Sequence, residues 1–198
     1  MVTLGSIYSM KIRLDVPLEK QEDDYTCTPV CMKMVLEYIR DKFSEGLPDL
    51  HSSIIAKTIK TKSSVDEGGT TFENIELINE KLKKARPSLR FTAVSGQNLN
   101  EIRDELGNDR PVIAWVMMPS SQGDYPHSKV ITGIDDEEKL QIYCNDPVYE
   151  KEEMPIRKFW DMWERAYRIL IKVEIGEEKQ RSIEEWVNNQ GNLRGSQL

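Results

Sequence analysis

Histidine is nearly missing from this chain: 198 residues contain 2, His51 and His127. Any chemistry that needs an imidazole must draw on one of them. Cysteine is also scarce, at 3, an odd number that cannot pair completely. With no export signal in view, the expectation is reduced thiols rather than a disulfide framework. No apolar run approaches the roughly 20 residues that span a bilayer. The N-terminal stretch MVTLGSIYSMKIRLDVP has no basic segment followed by a long apolar one. Both absences favour a cytoplasmic protein with no membrane partner. Positive charge is in deficit, with 27 Lys and Arg against 34 Asp and Glu, a net charge of -7. The densest basic cluster, Lys81, Lys83 and Lys84, reads as a solvated helix face. A nucleic-acid backbone as main partner is therefore excluded.

What is present describes an ordinary globular chain, 38% hydrophobic and 31% charged, with 9 prolines and 11 glycines. Its length suits one domain, expected over 1–176, followed by a 177–198 tail with one short helix around 183–187. Residues 11–18 read as a short extended lead-in. The stretch that follows, KQEDDYTCTPVCMKMVLEYI, sets Cys27 just ahead of an amphipathic helix. There Thr28 can cap, Pro29 suits the first turn, and Val30, Met34, Val35, Tyr38 and Ile39 share a face. Shorter helices are expected from Ser52, from Thr71 (face Phe72, Ile75, Ile78, Leu82) and over NLNEIRDEL, where Asn98 and Glu101 suggest a capping box.

Downstream the texture changes. SLRFTAV is a candidate strand, and RPVIAWVMM, SKVITGID, LQIYCND and YRILIKVEI are apolar, β-branched and separated by turn signals. These last four read as one sheet, interrupted by the helix PIRKFWDMWERA with Ile156, Phe159, Trp160 and Trp163 on one face. Helices first and strands after predict an α+β fold, a helical half packed on an antiparallel sheet.

Chemistry must start from the cysteines. Cys31 lies inside the helix and Cys144 inside a strand, so both read as buried, inert thiols. Cys27 sits where unpaired backbone N–H groups and the helix dipole favour a thiolate. His51 opens a helix and is most simply a capping residue. His127 follows the loop MMPSSQGDYP at the edge of a strand, and Asp146 closes the next strand in the turn NDP. Taken singly, each of these has an ordinary structural reading, as does Gln21, which alone would be an exposed loop side chain.

Together, Gln21, Cys27, His127 and Asp146 resemble, in order and spacing, the catalytic set of the bacteriocin-processing, double-glycine leader peptidases and their stand-alone relatives, within the papain-like cysteine peptidases. The glutamine, five residues, cysteine and apolar helix match one family motif; HSKVITGIDD and NDP match two others. The likeness spans about 14–175. It implies a papain-like fold with Cys27 as nucleophile, His127 as general base and acid, Asp146 orienting the imidazole, and Gln21 donating to the oxyanion. It implies a peptide or protein substrate, with a small residue such as glycine before the cut bond, and no cofactor or metal. Thr28 departs from the family's usual glycine.

Three other readings stay open on sequence alone. The same residues serve a glutamine deamidase or acyltransferase, since the thioester chemistry is shared. A non-catalytic peptide-binding module would keep the fold and cleft. A metal site from Cys27, Cys31, Cys144, His127 and Asp146 fits poorly, because cysteines four apart without a second close pair miss the usual zinc spacings.

Overall fold

A computed structural model describes residues 10–43, 47–64 and 68–176. Its elements run β1 (Lys11–Arg13), α1 (Cys27–Phe43), α2 (Ser52–Thr58), a 3₁₀ segment (Phe72–Ile78), α3 (Asn79–Ala85), β2 (Leu89–Val94), α4 (Leu99–Gly107), β3 (Val112–Met118), β4 (Tyr125–Asp135), β5 (Gln141–Asp146), β6 (Glu150–Pro155), α5 (Ile156–Arg165) and β7 (Leu170–Ile175). The tail helix expected at 183–187 lies outside the described residues.

All seven strands join one sheet in the order β2-β7-β3-β4-β5-β6, with β1 paired to β4. Every pairing is antiparallel. β4 is the spine. It pairs with β3 from Tyr125 to Ile131 and with β1 from Gly133 to Asp135. β5 takes the other edge from Val130 to Asp135. Every residue from His127 to Asp135 is buried, so both faces of this strand are covered. At Gly133 a Cβ would fall 2.5 Å from Ile12 O and 3.0 Å from Arg13 Cα. These are backbone atoms that cannot swing aside, so the close approach of β1 requires glycine there.

The helical half packs on this sheet as the patterning predicts. α1 lies on β4 and α5 on β3. Phe159, Met162 and Trp163, at helical spacing, are buried, and the Phe159 and Trp163 rings stack at 5.3 Å. α1 buries the expected stripe and also Met32 and Leu36, because α2 packs against a further side of it. His51 caps α2, its Nδ1 accepting from Ser53 N–H.

Several local expectations are corrected. α1 begins at Cys27 itself, and Thr28, rather than capping, places Oγ1 2.7 Å from Ser128 Oγ across the helix–sheet junction. The third helix is 3₁₀ up to Ile78 and α-helical only from Asn79, whose side chain both donates to and accepts from the Phe91 backbone at 2.8 Å. The capping box at α4 is half formed. Asn98 accepts from Asn100 N–H, but Glu101 pairs with Lys172 at 2.6 Å. A strand without an apolar signal, β6 (EKEEMP), was not expected. It forms the sheet edge, where one row of side chains faces water and polarity is tolerated.

Candidate active site

The segment between β1 and α1 has no regular structure, and four hydrogen bonds hold it against the sheet. Leu14 N–H donates to Thr132 O at 2.7 Å, and Asn145 Nδ2 donates to Val16 O at 2.9 Å and Pro17 O at 3.1 Å. Gln21 N–H donates to Pro147 O at 3.0 Å. The chain is thus led past the end of β5 and enters α1 at Cys27, beside His127.

There the two halves of the protein meet. His127 Nε2 lies 3.0 Å from Asp146 Oδ1, and both side chains are buried. His127 is inside β4, opposite Val116, rather than in the loop before it, so a strand instead of a flexible segment aims the ring. The Cys27 thiol shares a cleft with this imidazole, close enough for His127 to act on its ionisation. Asp146 closes β5, as its place in the turn predicts. Its Oδ1 also accepts from Val148 N–H at 2.7 Å and Tyr149 N–H at 3.0 Å.

The electrostatics follow from these contacts. Burial alone would raise the Cys27 thiol, but the hydrogen bond and charge of His127, together with hydrogen bonds to Ser128, bring it below its ordinary value. Burial works against the imidazolium too, yet Asp146 and then Cys27 raise His127 from 6.5 to about 9. Asp146, despite burial, is held well below the usual carboxylate range by His127 and Lys129. The other cysteines behave oppositely. Burial pushes Cys144 up to about 12 and Cys31 well above its ordinary value. Among three thiols, only the one at the helix start is poised to ionise.

These shifts give a pH signature in stability. The imidazolium's folded pKa is raised, so its contribution is full below 6.5 and is lost as pH rises through about 9. The thiol's is lowered, so its contribution is full above 9.0 and is lost as pH falls through the folded value. Below 9.0 the thiol's slope opposes the histidine's, so wild-type stability should fall less between 6.5 and 9 than it would without the thiol. Cys27→Ala uncovers the histidine slope, and the unfolding free energy should fall by about 1 kcal/mol across this window. Guanidinium midpoints at the two ends measure it; equal slopes in both proteins would contradict the pairing.

Around the thiol lies a narrow cleft walled by Asp24, Tyr25, Thr28, Gly68, Trp115 and Ser128. The Gly68-Gly69 pair, expected to turn the chain, belongs to a strap whose Lys62 and Gly69 bridge each other beside this cleft. A Cβ on Gly68 would stand 2.1 Å from Tyr25 Cδ1 and 2.5 Å from Ser64 O, so only glycine lets strap and ring close together.

Cys27, His127 and Asp146 therefore lie together at one end of the sheet. Gln21 reaches the same end of the sheet, but its Nε2 donates to Asp23 O at 2.7 Å instead of pointing at the thiol. Sequence reasoning missed Ser128, which bonds Thr28, accepts from Cys31 Sγ at 3.4 Å and supports Cys27. It also missed Lys129, buried beside Asp146. Among the described residues no group of three or more His, Cys, Asp or Glu side chains could hold a metal. No described helix is long and apolar enough to cross a membrane.

Comparison with known proteins places this geometry. The profile of the Peptidase_C39 like family matches residues 13–171. Among solved structures, a protein described as a C39-like peptidase from Bacillus anthracis superposes with a TM-score of 0.63 at 17% identity, covering 85% of this chain and 100% of that one. A double glycine motif protease from an AMS/PCAT transporter, solved with its leader peptide, superposes with a TM-score of 0.54 at 16% identity, covering 83% and 94%. No curated protein sequence matches significantly. The architecture of helices on an antiparallel sheet is the papain-like fold.

Proposed function

The chain belongs to the Peptidase_C39 like family, and from that premise we propose that it hydrolyses peptide bonds with Cys27 as nucleophile, His127 as general base and acid, and Asp146 as orienting carboxylate. The observation that carries this reading is the buried His127–Asp146 pair beside the half-buried Cys27 thiol, with a lowered thiol next to a raised imidazole. The Cys27 thiolate attacks the scissile carbonyl carbon, forming a C–S bond as the carbonyl π electrons move to oxygen. Collapse re-forms the carbonyl and breaks the C–N bond, while the imidazolium gives its proton to the leaving amine. Water then attacks the thioester, neutral His127 takes its proton, and the C–S bond breaks to return the thiolate. Asp146 keeps one imidazole nitrogen engaged, so that the other faces sulfur throughout.

Gln21 is the oxyanion donor in this scheme, once its side-chain amide exchanges Asp23 O for the substrate oxygen; such a donor contributes on the order of 3 kcal/mol. The substrate is a peptide or protein segment. Thr28 and the Tyr25–Gly68 contact narrow the cleft beside sulfur, which favours a small residue such as glycine before the cut bond. Trp115 lines the same cleft, and its Nε1 is buried without a protein acceptor.

The test needs no substrate. Iodoacetamide alkylation of each cysteine, followed by peptide mass spectrometry from about pH 4 to 9, should show Cys27 alone reacting well below the reference thiol pKa of about 8.5. His127→Ala should abolish that early reactivity. An ordinary titration of Cys27 in both proteins would overturn the catalytic reading.

A further inference from the structure

Lys129 follows His127 by two residues in β4, where an apolar side chain would be the simple choice. Instead its ammonium is carried into the interior, with its side chain 1% exposed. Nζ lies 2.7 Å from Asp146 Oδ2 and forms a short ion pair with Glu152 on β6. Oδ1 of Asp146 is already occupied by His127 and two backbone N–H groups, so the lysine holds the remaining oxygen. A buried ammonium is costly unless fully paired, and packing alone would be served more cheaply by methionine or leucine. The groups around it are His127 and Tyr125 from β4, Asp146 and Cys144 from β5, Glu152 from β6, Tyr149 from the β5–β6 turn, and Cys31 from α1, with Cys27 beyond His127.

We propose that Lys129 is a positioning residue for the catalytic group: its ammonium clamps Oδ2 of Asp146 so that Oδ1 stays aimed at His127, and Glu152 balances the charge the clamp brings into the interior. The inference rests on the peptidase reading of the site. It extends the relay to five charges of alternating sign: thiolate, imidazolium, carboxylate, ammonium and carboxylate. The series ends at Glu152, whose side chain is 28% exposed and in touch with water. Without the clamp, Asp146 keeps its burial but loses a cation, its carboxylate form is weakened, and the imidazolium and thiolate lose support in turn. A role in packing alone would leave the ionisation of Cys27 untouched.

The test compares the acid limb of Cys27 alkylation against pH in wild type, Lys129→Met and Glu152→Gln, with thermal melts alongside. In Lys129→Met the limb should move up by about one pH unit, which is about tenfold slower alkylation at a pH below both midpoints. In Glu152→Gln, which keeps the clamp and removes only its outer balance, the limb should not rise. If Lys129→Met does not fold, the double variant Lys129→Met/Glu152→Gln, which strands no Glu152 charge, takes its place with the same expected rise. An unmoved limb in the lysine variant overturns the inference, even if the melt drops. So does an equal rise in Glu152→Gln, which would signal general disruption. A wild-type limb at the ordinary thiol value removes the peptidase reading and this inference with it, so the two failures are told apart.

Discussion

Replacing Cys27 with alanine should lower the rate of peptide hydrolysis by about 10⁵- to 10⁶-fold, the scale seen when a covalent nucleophile is removed from a relay that acts as a unit. The fold should survive, because the thiol stands at the start of α1 beside an open cleft. Binding should survive too: the walls formed by Tyr25, Thr28, Gly68 and Trp115 do not depend on sulfur. The expected result is a protein that captures substrate peptide without cutting it. Steady-state cleavage of a glycine-containing peptide library, paired with binding by fluorescence anisotropy, measures both halves. Residual turnover within tenfold of wild type would mean that the nucleophile lies elsewhere.

Asp146→Ala should damage both rate and stability. Losing the orienting carboxylate of a triad costs about 10⁴-fold in turnover. This carboxylate also accepts from two turn N–H groups and faces a buried ammonium. Removing one partner of a buried ion pair costs about 3 kcal/mol, because the other charge stays in the interior. Asp146→Asn separates the two effects: the amide oxygen still accepts the turn N–H groups but leaves the ammonium without its counter-charge, so only the turn's share of the stability loss should be recovered while turnover stays low. Denaturant unfolding and kcat for both variants check this. Equal stability losses for alanine and asparagine would show that the charge, not the turn, governs the stability of the site.

The parts of the protein legible in sequence are those where one residue type had few alternatives. Two histidines and one cysteine at a helix start narrowed the candidates, and the resemblance of Gln21, HSKVITGIDD and the NDP turn to a family's motifs supplied the assignment. Helices and central strands were legible because their burial is periodic or continuous. β6 was not, since an edge strand needs apolar residues on one side at most, and EKEEMP carries almost none. Lys129 was illegible for the opposite reason: a lysine reads as solvent-facing until its partners are known, and Glu152 is brought to it only by the pairing of β5 with β6. The resting place of Gln21 Nε2 on Asp23 O depends on local loop geometry that spacing does not specify.

The position of Cys27, the proposed nucleophile, has a consequence for biosynthesis. Thr28 and Ser128, which lock the helix start to the sheet, are 100 residues apart along the chain, and Asp146 comes later still. During translation the cysteine emerges early, but its imidazole and carboxylate have yet to be synthesised. Until β4 and β5 are made and paired, the thiol has no base beside it and stays protonated. On the proposed mechanism, the growing polypeptide therefore carries an ordinary thiol until both strands are in place.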